Sequence, residues 1–213
     1  MKKKIILVVG PQGSGNKLTT SIFLNFFGCK GSQGAVFPKT DSDKIVYTNS
    51  VPTGQGAAGG QGVIDDVYFK PLGRNIGVIS FNRLLAKVRD MYGDCQINVA
   101  CPIRDHETTV KSLISQGMKR EAAEQIHNLS LEWVIECLKE CYEEKDVIFN
   151  WLSYEFLTYD TETCIKSLSE QIGLPIVLGE EDFKDRCKNI VPRNKYHYNE
   201  NERGKYLPAN HNV

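Results

Sequence analysis

Residues 4–10, KIILVVG, run directly into the glycine-rich PQGSGN and then into KLTTSIFLNFFG (17–28). No other stretch limits the fold as tightly. An apolar run so short and so rich in Ile and Val predicts a strand buried on both faces. The glycines predict a tight turn, and the segment after them has helical spacing until it meets Gly28. A buried strand, a glycine-rich loop and a helix in succession are the first unit of an α/β fold. The preceding lysines give the start a superficial likeness to a signal peptide. The apolar stretch is too short for one, however, and it ends in Gly-Pro without a small-residue cleavage site.

The later pattern repeats the alternation. Strands are predicted at 44–49, 75–80, 96–103 and 146–154. Helices are predicted from about Phe81 to Met91, from the cap Asp105 to Gly117, over 120–145, and over 160–173 with Gly173 as C-cap. In the third of these, Ile126, Leu129, Trp133, Cys137 and Cys141 recur at spacings of three and four. The expected architecture is three-layer α/β, a mostly parallel sheet flanked by helices, similar to the P-loop NTPases. Residues 29–73 read differently: glycines, prolines and little periodicity, with GQGAAGGQG (54–62) expected to be disordered. The tail 192–213 is polar and reads as ordering only on binding. Residues 1–191 are expected to form one domain, in keeping with a length of 213 residues.

The formal net charge is zero. A global basic field for nucleic acid is therefore excluded, and any anion site must be local. No run approaches the roughly 20 apolar residues of a membrane span. The seven cysteines lack CxxC spacing and have no histidine partners arranged for zinc. They read as reduced, buried thiols of a cytoplasmic protein, and no metal site is predicted.

Gly10 and Gly15 have the separation of a Walker A loop, G-x-x-x-x-G-K-[ST]. Asn16 occupies the lysine position, however, and Lys17 comes one residue later, a helical rotation of about 100°. Leu18 stands where a magnesium-binding hydroxyl would follow Lys17. No apolar strand ends directly in an Asp that would hold magnesium. What survives is the backbone: Gly13, Ser14, Gly15 and Asn16, with Gln12 counted beside them, present N–H groups at a helix N-terminus, an anion site that needs no lysine. A second anchor is Arg104, at the end of the 96–103 strand, with Ser112 eight residues later. Together they offer one phosphate a charged fork and a neutral donor. Equally open is a purely structural reading, in which Arg104 pairs with a nearby carboxylate.

The loop at 10–17, the R-D-x-x-x-x-x-x-S run at 104–112 and LSYEFLTYDTETCIKSLSEQIGLP (152–175) together resemble the sulfotransferases. The resemblance implies that the loop holds the 5′-phosphosulfate of 3′-phosphoadenylyl sulfate (PAPS) and that Arg104 and Ser112 hold its 3′-phosphate. It implies further that Tyr154 and Glu155 start, and Gly173 and Leu174 end, the late helical motif. Gly13 stands where many members carry a lysine; Lys17, from the first helical turn, is the cation that would substitute. In place of the family's C-terminal Lys-Gly segment the chain offers Arg193, Lys195 and Arg203.

The implied reaction is in-line transfer of a sulfuryl group to a hydroxyl or amine of a carbohydrate or small molecule, with no metal required. Lys17 and the loop amides would stabilise the leaving oxygen, and Tyr154 would lie near the adenine or serve as an ordinary core residue. Candidate bases are Asp65, Asp66, His106 and Glu155. Asp65 is favoured because 29–73 is assigned to the acceptor. His127, His197 and His211 read as surface or tail residues. Two rival readings stay open at this level: a P-loop kinase-like phosphotransferase using ATP and magnesium, and a nucleotide-binding protein without catalysis.

Overall fold

The first strand, β1 (Lys3–Pro11), is the centre of a five-stranded sheet. The computed structural model describes residues 2–32, 38–51, 53–54, 64–69, 76–79, 81–115 and 117–190. In chain order β1 is followed by α1 (Asn16–Phe26), β2 (Lys30–Ser32), β3 (Lys44–Val51), β4 (Thr53–Gly54), β5 (Ile64–Phe69) and β6 (Ile76–Ile79). Next come α2 (Phe81–Tyr92), β7 (Cys95–Ile103), α3 (His106–Ile114), α4 (Arg120–Glu143) and β8 (Val147–Ser153). The last described elements are α5 (Tyr154–Tyr159), α6 (Thr161–Ile172) and α7 (Glu180–Lys188).

The main sheet has the order β2-β3-β1-β7-β8, and every neighbouring pair is parallel. The expected α/β architecture is therefore the one observed. Alternate residues of β1 feed two cores. Ile5, Leu7 and Val9 pack with Leu84 and Val88 of α2 and with Trp133 and Cys137 of α4. Ile6 and Val8 pack with Ile22 and Phe23 of α1, Ile165 and Leu168 of α6, and Phe183 of α7. A strand buried on both sides has no polar face, which is why KIILVVG reads as an unbroken apolar run.

Two expectations need correction. The strand expected at 75–80 exists as β6, but it pairs antiparallel with β4 and β5 in a separate three-stranded sheet. It is no part of the parallel sheet that the strand–helix alternation implied. Residues 29–73 were expected to hold one strand, at 44–49, which is β3; β2, β4 and β5 lie there as well. These strands are short and glycine-flanked, too brief for a period of two to stand out. Apart from Gly54 in β4, the stretch 54–62 lies outside the described residues, as does the tail from Pro192. Helices α5 and α7 were also not anticipated. In α7 the signal was present: Glu180, Glu181 and Asp182 begin it, Arg186 and Lys188 end it, and Phe183 and Cys187 are buried one turn apart.

Connectivity places the functional end. After β1 the chain leaves through α1 toward β2 and β3. After β7 it leaves the other way, through α3 and α4, to β8. Neighbouring strands whose exits diverge leave a crevice at their carboxyl ends, and ligands of open α/β sheets bind in such crevices.

Candidate functional site

The loop from Pro11 to Asn16 is held by its own side chains. Ser14 donates its backbone N–H to Pro11 O at 3.1 Å and its hydroxyl to the same oxygen at 2.6 Å. Asn16 Nδ2 donates to Gly10 O at 3.0 Å and to Pro11 O at 3.1 Å. Both side chains are thus turned inward, locking the carbonyls of the strand end. Gly13 (φ 88°) and Gly15 (φ 106°) occupy backbone conformations open to few residues other than glycine. Gly15 is the N-cap of α1, and no side chain caps that helix. The start of α1, with its partial positive charge, therefore faces the crevice without a covering oxygen from a cap.

Two elements close in on this loop. A Cβ on Gly15 would stand 2.7 Å from Cδ2 of Tyr154, the first residue of α5, so the aromatic ring lies directly on the loop. A Cβ on Gly13 would stand 3.4 Å from Thr109 Cγ2 and 3.7 Å from Leu113 Cδ2, so the loop also rests on α3. Ser112 is buried on α3 next to Leu113 and one turn beyond Thr109.

Arg104 leaves the end of β7 and lies between these groups. Its guanidinium stacks over the Tyr154 ring, 4.1 Å from the ring centroid, and Nη1 is 3.4 Å from Gly13 O. A cation over an aromatic face is favourable and keeps the guanidinium plane oriented. The next residue, Asp105, caps α3 as expected. Its carboxylate accepts the Thr108 N–H at 2.9 Å and the Thr108 hydroxyl at 2.7 Å. The N-terminus of α3 is thus covered by its own acid, whereas that of α1 is not.

Glu155, a candidate base, has both carboxylate oxygens engaged. Oε1 accepts the Asp105 N–H at 3.0 Å and Oε2 accepts the Ser153 hydroxyl at 3.2 Å. The side chain ties the end of β8 to the end of β7, which fixes Tyr154 relative to Arg104. Nothing in the sequence pattern announced this tether. The packing of Thr109 under Gly13 was likewise unannounced, although its spacing of four from Asp105 placed it on the first turn of α3.

Of the residues picked from the sequence, Gln12, Gly13, Ser14, Gly15, Asn16, Arg104 and Tyr154 converge at one end of the sheet, with Ser112 on the helix beneath. Lys17 is exposed on the first turn of α1. Asp65 and Asp66 lie in β5, in the antiparallel sheet, and their side chains are outside the described residues. Arg193, Lys195, Arg203, His197 and His211 are also outside them.

His127 corrects an expectation. It was read as a surface residue, but it is 4% exposed and meets the His106 ring edge-on at 4.7 Å. Burial lowers its pKa below the usual histidine value, and the neighbouring His106 lowers it further, against a smaller opposite pull from Asp105. It was misread because it follows Ile126 on the side of α4 that faces α3, a contact the sequence does not declare.

Sheet order, glycine loop and strand-end crevice define a P-loop-like α/β protein with the sulfotransferase-like fold. The crystal structure of mouse sulfotransferase SULT7A1 complexed with PAP is similar over 89% of this chain, with a TM-score of 0.53 and 11% sequence identity. The chain spans 65% of the length of that protein. Neither a family model nor a curated protein sequence matches it. Among the described residues, no helix is long and apolar enough to cross a membrane.

Proposed function

We propose that the chain transfers a sulfuryl group from PAPS to a hydroxyl or amine of a carbohydrate or small molecule. The observation that supports this reading is the closeness, at the strand ends, of two groups suited to hold anions. One is the uncapped start of α1 behind Gly13 and Gly15; the other is the Arg104 guanidinium, 3.4 Å from Gly13 O, with Ser112 on the adjacent helix. The residues suit a nucleotide with two separate anions: the absence of a Cβ at Gly15 lets the Tyr154 ring lie against the loop, and the Arg104 guanidinium lies over that ring. The fold likeness to a protein crystallised with PAP supports the same reading.

PAPS, when bound, supplies an activated sulfuryl group. The chain's own part is position and charge. The loop amides of Gln12, Gly13, Gly15 and Asn16, with Lys17 from the first turn, would hold the 5′ end and stabilise negative charge on the leaving oxygen, while Ser14, whose N–H and hydroxyl both donate to Pro11 O, would keep the loop in shape. Arg104 and Ser112 would hold the 3′-phosphate, and Tyr154 would border the adenine. Asp65 would take the acceptor proton as the acceptor's new bond to sulfur forms and the bond to the phosphate oxygen breaks.

A thermal-shift panel tests this. A ligand that binds only the folded state adds about 2.7 kcal/mol at a hundredfold excess over its Kd. The melting temperature should rise with 3′,5′-adenosine bisphosphate in the presence of EDTA, and rise less with ADP. Equal shifts, or a shift that needs magnesium, would replace this reading with a kinase-like one.

A further inference from the structure

We infer that Glu155 is a positioning residue that sets the site's preference for a nucleotide bearing a 3′-phosphate, acting through the main chain of Arg104. The inference rests on the proposed function, in which Arg104 holds that phosphate. Strands β7 and β8 run parallel, and their last paired residues are Ile103 and Ser153. Beyond that pair both chains turn into helices, with Asp105 capping α3 and Ser153 capping α5. Asp105 and Glu155 each lie two residues past the last pair. Glu155 Oε1 accepts the Asp105 N–H at 3.0 Å, where the backbone ladder has already ended. The other oxygen, Oε2, accepts the Ser153 hydroxyl at 3.2 Å, and Ser153 Oγ in turn accepts the Phe156 N–H at 3.2 Å. The carboxylate is thus tied to its own strand end and reaches from there to the neighbouring one.

What it reaches is the peptide that joins Arg104 to Asp105. A peptide unit is planar, so holding its N–H fixes the plane attached to the Arg104 Cα. The direction in which the arginine side chain leaves the backbone is set with it. At the far end, the guanidinium lies 4.1 Å from the centroid of the Tyr154 ring, and Tyr154 stands between Ser153 and Glu155 in the chain. One short segment, Ser153–Glu155, therefore holds both ends of Arg104. The carboxylate holds its main chain, and the ring holds its cation. An arginine fork grips a phosphate best when it is already aimed, because a free side chain of that length loses rotamer freedom on binding. A carboxylate near an anion site also opposes the anion by its charge. The two effects have opposite signs: loss of the tether weakens the grip on a 3′-phosphate, whereas loss of the charge strengthens it.

The experiment is calorimetric titration of the full chain with 3′,5′-adenosine bisphosphate and with 5′-AMP, for the wild type and for Glu155→Asp, Glu155→Gln and Glu155→Ala. The first variant keeps the charge but is one methylene short of the span. The second keeps the span without the charge: its amide oxygen accepts the Asp105 N–H and its amide nitrogen donates to Ser153 Oγ. The readout is the ratio of the two dissociation constants, because a general loosening of the fold weakens both ligands alike. Glu155→Asp and Glu155→Ala should lose about three- to tenfold of the wild-type preference for the bisphosphate, the worth of roughly one hydrogen bond. Glu155→Gln should keep that preference or exceed it. If circular dichroism shows that Glu155→Ala does not fold, the two conservative variants decide. A preference kept in Glu155→Asp, lost in Glu155→Gln or raised in Glu155→Ala would overturn the inference and leave Arg104 as the holder of the 3′-phosphate. A wild type that binds both ligands equally would remove that role from Arg104, and the inference would fall with it.

Discussion

Gly15 combines a left-handed backbone (φ 106°) with an aromatic ring where its Cβ would be, 2.7 Å from Tyr154 Cδ2. Gly93 also has positive φ (71°) but has no atom within 4 Å of its Cβ position. The pair separates backbone strain from steric exclusion. Gly93→Ala should cost about 1 kcal/mol in urea unfolding, the strain alone. Gly15→Ala should cost about 1–3 kcal/mol more and displace Tyr154; equal losses at the two sites would mean that the ring yields freely. His127 gives the residue scale its pH dependence. Its folded pKa is below the ordinary 6.5, so the unfolded chain takes the proton more readily. The stability tied to its neutral form is fully present above that value and is lost as pH falls through the lowered folded one. The urea midpoint should therefore drop between about pH 7 and pH 5, and drop less in His127→Gln. Parallel curves for the two proteins would refute this.

Among the elements, α1 and α3 present opposite solutions at their N-termini. Asp105 caps α3, whereas α1 begins at a glycine without a side-chain cap. Asp105→Ala should destabilise the fold by about 0.5–2 kcal/mol, read by chemical denaturation, and loosen Arg104 beside it. A loss within error would place the work of that turn elsewhere. The same elements show what a sequence can declare. Asp105 and Gly173 were readable because caps depend on local chemistry: Gly173 (φ 60°) lets Leu174 N–H reach Ser169 O at 3.1 Å. The buried strands were readable because two-sided burial leaves an unbroken apolar run. The antiparallel β4-β6-β5 sheet was not, since NIGVIS looks the same in either sheet and only its partners decide. In the site, Gly13, Gly15 and Arg104 were visible as residue types at strand ends. The stacking of Arg104 on Tyr154 and the double engagement of Glu155 depend on how β7 and β8 lie side by side, and no local pattern encodes that.

At the scale of the whole molecule, the seven cysteines are all free and all buried in the two cores. Burial pushes Cys29, Cys101 and Cys141 up to about 12, and Cys164 and Cys187 up to about 11. The native protein should therefore resist iodoacetamide at about pH 8, while all seven thiols become modified in denaturant. Rapid native labelling of several sites, counted by mass spectrometry, would show a looser interior. The same packed interior lets the strand ends hold Gly13, Arg104 and Tyr154 in fixed relation.

The central claim is that this crevice grips one nucleotide at two separate anions, with Arg104 at the 3′ end. Calorimetric titration of wild type and Arg104→Ala with 3′,5′-adenosine bisphosphate and with 5′-AMP tests it directly. The account predicts a loss of about ten- to hundredfold for the bisphosphate, the value of a charge-assisted hydrogen bond, and little change for the monophosphate. Equal losses for both ligands, or none for either, would contradict it.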